Sequence, residues 1–193
     1  MASLFDKLES EAFRKGIQAR SKEASVWFQK KAKELGSLGP SVLSDDRLRA
    51  QGGAHPGDMI MYIYDPKLKQ TLPYYDTFPL TIVVGAAKEG FYGINLHYLP
   101  PKVRAIFLDK LNDTASNQKF NKTTRFKITY KLLMATRSYK YFKPCFKHYL
   151  SEKVTSNIMK VNAAEWNIAI FLQTANFKKA SVGSVWSDSA RKY

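Results

Sequence analysis

Cysteine and long apolar runs are scarce in this sequence, and each scarcity excludes a class of protein. Cys145 is the single cysteine among 193 residues, so the chain cannot form an internal disulfide. No segment approaches the roughly 20 apolar residues that a membrane-spanning helix needs. Asp6 interrupts the N-terminal residues, which does not suit a secretory signal. We expect a protein of a reducing compartment, or of a particle assembled in one, with no membrane partner.

Catalytic motifs are also missing. Cys145 and His148 are a lone close pair, whereas structural zinc needs four ligands and a nucleophile needs a third orienting group. The sequence has neither a phosphate-binding P-loop nor a dinucleotide-binding glycine motif. We expect no catalytic residue, metal site, cofactor or small-molecule substrate, and therefore no enzyme.

A metal-dependent nuclease is the one enzymatic alternative that remains, because separated carboxylates can meet in a fold. The candidate carboxylates are Asp45, Asp46, Asp58, Asp65, Asp76, Glu89 and Asp109. Roles in turns and helix caps explain most of them more simply.

Acidic residues are absent from the whole stretch between Thr114 and Leu150, which is rich in basic residues. The basic residues are Lys119, Lys122, Arg125, Lys127, Lys131, Arg137, Lys140, Lys143 and Lys147. Aromatic residues such as Phe126, Tyr130 and Tyr141 lie between them. Positive charge beside aromatic rings makes nucleic acid the first partner to consider, and a solvated basic face is the alternative. The nine basic residues are the candidate phosphate contacts.

The overall composition favours a folded basic protein. The chain has 31 Lys and Arg against 16 Asp and Glu, a net charge of +15, with 45% hydrophobic and 13% aromatic residues. This length and hydrophobic content suffice for one core.

The N-terminal third predicts two helices followed by a linker. Apolar residues recur at helical spacing up to Gly16 and again from about residue 21 to Gly36. Residues 36–57 are rich in glycine and proline, as linkers are. We therefore predict a helical N-terminal arm and linker over residues 1–56.

Strand patterns begin after residue 58 and define a core domain over residues 57–180. Residues 59–64 (MIMYIY) are rich in β-branched and aromatic residues. Residues 80–84 and 91–96 flank a Lys88-Glu89-Gly90 turn, as in a hairpin. Pro100-Pro101 opens a predicted helix, followed by a loop over residues 112–119. The fold class is α+β, with a small curled antiparallel sheet or barrel and flanking helices.

The later segments are less clearly patterned. Residues 124–135 fit a strand or a helix, and Cys145–Leu150 is predicted as one or two helical turns. Asn162 and Glu165 resemble a capping box. Residues 181–193 are predicted as a polar tail. We interpret Trp27 and Phe28 of the arm and Trp186 of the tail as candidate contacts with partner proteins.

Extended phrases of the sequence resemble a known family. Residues 61–84 read MYIYDPKLKQTLPYYDTFPLTIVV, residues 90–111 read GFYGINLHYLPPKVRAIFLDKL, and YFKPCFKHYL follows at 141–150. Together with AAEWNIAIFL at 163–172 and VWSDSARK at 185–192, these phrases resemble the DNA end protector proteins of T-even-type tailed bacteriophages. The resemblance covers roughly residues 59–190.

The resemblance implies a minor virion protein that lies near the head's exit and binds the ends of double-stranded DNA. It would be present in the virion and in the host cytoplasm, during assembly and after injection, where it would block host exonuclease. The residues add a mechanism, in which Lys and Arg bind phosphates without regard to sequence. The alternative is a structural neck or baseplate protein that contacts other virion proteins, including the portal.

Overall fold

The protein has an α+β fold in which helices cover one face of an antiparallel sheet. The computed structural model describes residues 4–17, 22–36, 38, 54–116, 131–136, 142–162 and 165–191. The helices are α1 (Leu4–Arg14), α2 (Lys22–Leu35), α3 (Pro101–Ser116), α4 (Trp166–Ala169) and α5 (Val182–Arg191). The strands are β1 (Met59–Met61), β2 (Tyr75–Asp76), β3 (Leu80–Ala87), β4 (Gly90–Asn95), β5 (Phe146–Leu150), β6 (Met159–Val161) and β7 (Phe177–Lys178).

The main sheet has five strands in the order β5-β4-β3-β1-β6, with antiparallel neighbours. Strands β5 and β6 form its two edges, so the sheet is open and is not the closed barrel that the sequence left possible. The predicted hairpin is confirmed as β3 and β4, with Glu89 at a left-handed φ of 61° in the turn. A bulge interrupts the β3–β4 register between Val83 and Gly85. Strands β2 and β7 form a separate two-stranded ribbon.

The two predicted N-terminal helices are confirmed, and both contribute side chains to the main core. Gly16 and Gly36 follow α1 and α2 with φ values of 68° and 67°, a conformation that glycine adopts without steric cost. Helix α2 packs against α4, and its Phe28 is buried. In the structure these helices are therefore docked on the sheet domain.

Each face of the main sheet carries its own apolar cluster. The larger cluster joins Ile82 and Ile94 to helix residues such as Leu108 of α3 and Val185 of α5. The smaller cluster lies on the opposite face, where Tyr62 and Tyr149 are its largest fully packed rings. Aromatic edge-to-face contacts hold this second cluster together, with Tyr62 and Tyr149 centroids 5.5 Å apart.

Several local predictions differ from the structure. Helix α3 continues to Ser116 instead of ending in a loop at Asn112. The prediction of helical turns over Cys145–Leu150 is wrong, because residues 146–150 form β5 and pair with β4. Residues 131–135 are helical, whereas residues 124–130 lie outside the described part. One half of the predicted capping box is present, since the Asn162 backbone N–H donates to Glu165 Oε2 at 3.1 Å. Helix α4 itself has Glu165 as its N-cap, without a side-chain cap.

The segment predicted as a polar tail contains a helix. Residues 182–191 form α5, and Val185 on this helix is fully buried. Apolar Val182, Val185 and Trp186 recur at helical spacing, and their contacts with the domain explain why this otherwise polar segment is helical.

We predict opposite stability effects for two glycine-to-alanine changes. A Cβ at Gly90 would overlap the Tyr149 carbonyl oxygen of β5, whereas a Cβ at Gly183 in α5 meets nothing within 4 Å. Gly90→Ala should therefore lower the free energy of unfolding by about 2 kcal/mol, and Gly183→Ala should raise it by about 0.5 kcal/mol. Urea denaturation of the two variants measures both effects. Equal stability of the two variants would contradict the tight β4–β5 approach.

Candidate nucleic-acid interface

The structure describes three of the nine predicted phosphate-contact residues. Lys131 is exposed on the helical residues 131–135, and Lys143 is exposed in a single 3-10 turn, Lys143–Cys145. Lys147 lies in β5 and is half-buried. The other six lie outside the described residues: Lys119, Lys122, Arg125, Lys127, Arg137 and Lys140. The role of the nine residues as a set stays a prediction.

Lys147 points into a cleft along the edge strand β5, on the sheet face that carries the smaller apolar cluster. Alternation along β5 places Lys147 and Tyr149 on this face, opposite Gly93 and Phe91 of β4. The cleft has a volume of about 320 Å³, near the lower limit for ligand pockets. Tyrosines and lysines line it, namely Tyr64, Tyr74, Tyr75, Tyr98, Tyr149, Lys67 and Lys147. We call it the aromatic cleft.

The Lys147 ammonium group lies against an aromatic ring. Its Nζ is 4.2 Å from the centroid of the Tyr98 ring, a favourable cation–π distance. Within the described part of the chain no hydrogen bond or ion pair accompanies this contact. Burial lowers the pKa of Lys147, although Cys145 and Asp76 act in the opposite direction. The amine is therefore incompletely solvated and can gain from an anionic partner.

Asp76 fixes the inner wall of the aromatic cleft. Its Oδ1 accepts from the backbone N–H groups of Phe78 at 3.0 Å and Asn176 at 3.2 Å. Its Oδ2 accepts from Asn95 Nδ2 at 3.0 Å and is 2.6 Å from His97 Nδ1. Burial opposes ionisation, but His97 and these donors outweigh it and lower the pKa of Asp76. Its oxygens are therefore engaged with the protein.

His97 completes this buried network as a neutral ring. Burial lowers its pKa below the ordinary value, although the Asp76 carboxylate raises it. Because Asp76 accepts hydrogen bonds, Nδ1 carries the ring proton and donates it to Asp76. Nε2 then accepts from Thr174 Oγ1 at 3.0 Å. The ring therefore links β2 to the segment that precedes β7.

Lys179 holds the outer wall of the cleft in place. Its Nζ donates to the carbonyl oxygens of Lys69, Gln70 and Leu72 at 2.7, 3.0 and 3.0 Å. These carbonyls belong to the loop between β1 and β2, which carries Leu72 and Lys67 into the cleft lining. One lysine thus caps a loop that would otherwise leave three carbonyl groups to water.

The predicted partner-contact residues all have contacts inside the chain. Trp27 is half-buried and packs edge-to-face on buried Phe28, with centroids 5.0 Å apart. Trp186 Nε1 donates to the His97 carbonyl oxygen at 2.9 Å. The Arg104 guanidinium lies 5.9 Å from the Trp186 ring, and burial lowers the pKa of Arg104 to about 10. The prediction that these aromatic residues bind another protein stays untested.

The described residues show no arrangement suited to metal binding or thiol catalysis. Among them, no three His, Cys, Asp or Glu side chains are grouped so that they could hold a metal ion. Cys145 is buried, and this burial raises the pKa of its thiol to about 12, so the thiol stays protonated. In the same part of the chain, no helix is long and apolar enough to cross a membrane.

Comparison with known proteins identifies the family. A family model described as phage T4 terminal DNA protecting protein matches residues 6–189. The chain belongs to this family. No curated protein and no solved structure is significantly similar to it. The resemblance found in the sequence is therefore confirmed, and the phage context and a general role in protecting terminal DNA follow from this family.

In this phage DNA-protecting protein, the acid-free stretch alone does not indicate the cleft. That stretch contains Lys147, but Tyr74, Tyr75 and Tyr98 lie before it in the sequence. In the structure Tyr98 is buried, whereas Tyr74 and Tyr75 are half-buried and line the cleft. Ser189, which reaches a cavity beside Lys147 from α5, had no signal in the sequence.

We predict that stability falls as the pH drops below about 6.5, the ordinary value for histidine. The folded state lowers the pKa of His97, so the unfolded state binds the proton more readily and gains population in acid. This contribution is fully present above pH 6.5 and is lost as the pH falls to the folded-state pKa. The Asp76 contribution is lost at lower pH, below its ordinary pKa of 3.8.

Urea unfolding of the wild type at pH 7 and pH 5 measures this effect. The free energy of unfolding should change by at most about 1.4 kcal/mol per pH unit, the limit for the uptake of one proton. His97→Gln should flatten this slope, while His148→Gln, a change at an exposed position, should retain it. An unchanged slope in His97→Gln would show that another group causes the pH dependence.

Proposed function

We propose that this phage protein binds the ends of double-stranded DNA without sequence specificity and blocks their degradation by exonuclease. Membership of the terminal DNA-protecting family is the observation that carries the proposal. The net charge of +15 supports it, because basic side chains bind phosphates irrespective of base sequence. The protein acts by binding alone, in the virion and, after injection, in the host cytoplasm.

In this proposal, two kinds of contact with DNA make different contributions to binding. Exposed lysines such as Lys131 and Lys143 are suited to backbone phosphates, which occur along the whole duplex. The aromatic cleft, with half-buried Lys147, is recessed and suits a group that projects from the DNA. Contacts along the backbone supply affinity, and a contact in the cleft supplies the preference for an end.

We predict that binding to short blunt duplex weakens steeply with salt. Six phosphate contacts would reduce the affinity by roughly 10³-fold between 50 and 200 mM salt. Fluorescence anisotropy with a labelled duplex measures the salt slope. A nearly flat slope would contradict phosphate-based binding.

We also predict that ends are preferred over continuous duplex and are shielded from nuclease. A linear fragment should compete more effectively than a closed circle of the same sequence and length. The protein should slow digestion of the linear fragment by a purified exonuclease, at concentrations that leave an endonuclease active on the circle. Equal competition by circle and fragment would leave DNA binding intact but remove end recognition.

A structural role in the phage particle, at the neck or baseplate, is the second candidate function. Phe13 of α1 is 84% exposed and Val26 of α2 is 68% exposed, although both helices pack on the core. A contiguous patch of exposed apolar side chains is a feature of contact surfaces for other proteins, and these two positions are the candidates for one on the helices. Other virion proteins are the partners that fit this reading.

Substitution of exposed residues distinguishes this role from DNA binding better than deletion of the N-terminal segment does. Deletion would also remove Phe28 of α2, which is buried in the core. Phe13→Ser combined with Val26→Ser should leave folding and DNA binding intact. Under the structural reading, these changes should reduce incorporation into phage particles, measured by immunoblotting of purified virions. Normal incorporation would count against an interface at these two positions.

A further inference from the structure

A small cavity opens beside the aromatic cleft and shares Lys147 with it. Its volume is about 130 Å³, equivalent to roughly four waters of bulk liquid. The side chains around it are otherwise apolar or aromatic, except for one serine. The lining residues are Leu72, Pro73, Tyr74, Tyr98, Pro144, Lys147 and Ser189. We call it the end pocket.

Ser189 supplies an unsatisfied hydroxyl group in the end pocket. The residue is only 5% exposed, and within the described chain its Oγ has no hydrogen-bond partner. A buried hydroxyl without a partner is costly, so most are satisfied in folded proteins. The hydroxyl is therefore a donor without an acceptor at the wall of the end pocket.

The charge of the end pocket favours an anion. Lys147 is the ionisable lining residue besides the tyrosines Tyr74 and Tyr98, and neither an aspartate nor a glutamate lines the pocket. Asp188, the nearest acid in sequence to Ser189, accepts a hydrogen bond from the Tyr74 hydroxyl at 2.7 Å. Asp76 lines the aromatic cleft but not the end pocket. An ammonium donor and a hydroxyl donor in apolar surroundings fit a compact oxyanion.

We infer that the end pocket binds the terminal phosphate of a DNA strand. A phosphate inside a duplex carries two ester substituents, which keep it in the backbone and away from a recessed cavity. A terminal phosphate is attached through one ester bond and can project into the pocket toward Lys147 and Ser189. The inference rests on the proposed function for its source of phosphate, and it supplies a physical reason for preferring ends.

A mononucleotide experiment tests the pocket independently of end protection. Thymidine 5′-monophosphate or 3′-monophosphate should raise the melting temperature of the full-length protein, whereas thymidine should not, because only the nucleotides carry the phosphate. Lys147→Met, which keeps an apolar side chain, and Ser189→Ala should each reduce this shift. Ser189→Ala should melt no lower than wild type without ligand, since it removes an unpaired hydroxyl. Equal shifts with thymidine and both nucleotides, or no shift with any of them, would overturn the inference.

DNA hairpins with a single open end test the same pocket on its proposed ligand. A hairpin with a 5′-phosphate or a 3′-phosphate should bind roughly tenfold more tightly than one with hydroxyl termini. Separate hairpins show which strand terminus fills the pocket. Lys147→Met should abolish the difference, while the control Lys143→Met should weaken binding to phosphorylated and hydroxyl ends equally.

The outcomes distinguish this inference from the proposed function. If linear ends are preferred over circles but phosphorylation has no effect, the pocket inference is wrong and end binding stands. If circles and linear fragments bind equally, the proposed preference for ends is wrong. The melting-temperature shifts with mononucleotides then test phosphate binding in the end pocket independently. Persistence of the phosphate preference in both Lys147→Met and Ser189→Ala would also overturn the inference.

Discussion

The buried carboxylate of Asp76 is the interaction on which the architecture around the cleft depends. Its two oxygens accept hydrogen bonds from Phe78, Asn176, Asn95 and His97, which lie on three chain segments, around residues 78, 95–97 and 176. A buried carboxylate is costly unless it is fully hydrogen-bonded. Hydrogen bonding at this point therefore fixes the ribbon β2–β7 against the end of β4 and sets the spacing between the walls of the cleft.

The same network gives the cleft its electrostatic character. With Asp76 satisfied from within the protein, the ligand-facing charge of the aromatic cleft comes from Lys67 and Lys147. Apolar surroundings strengthen the interaction of Lys147 with an anion because fewer waters compete for it. In the proposed function this gives two levels of DNA contact, one distributed over exposed lysines and one concentrated at a recessed amine.

Local patterns predicted the parts of the fold that local forces control. The periodicity before Gly16 and Gly36 indicated α1 and α2, and the Lys88-Glu89-Gly90 turn indicated the β3–β4 hairpin. Helical turns were wrongly predicted over residues 146–150, because the strand conformation of these residues depends on pairing with β4, a partner distant in sequence. Helix α5 was missed for a similar reason. Burial of its Val185 in the main core stabilises the helix, and the polar sequence around Val185 does not indicate that burial.

The sequence by itself determined the net charge, the acid-free stretch and the family, because these depend only on which residues occur and in what order. It marked Lys147 as basic but could not separate it from eight similar residues. Tertiary structure decided that Lys147 faces Tyr98 and shares a cavity with Ser189. These residues come from β5, the turn after β4 and helix α5, and only the sheet register and helix docking place them together, since such long-range contacts leave no periodic signal.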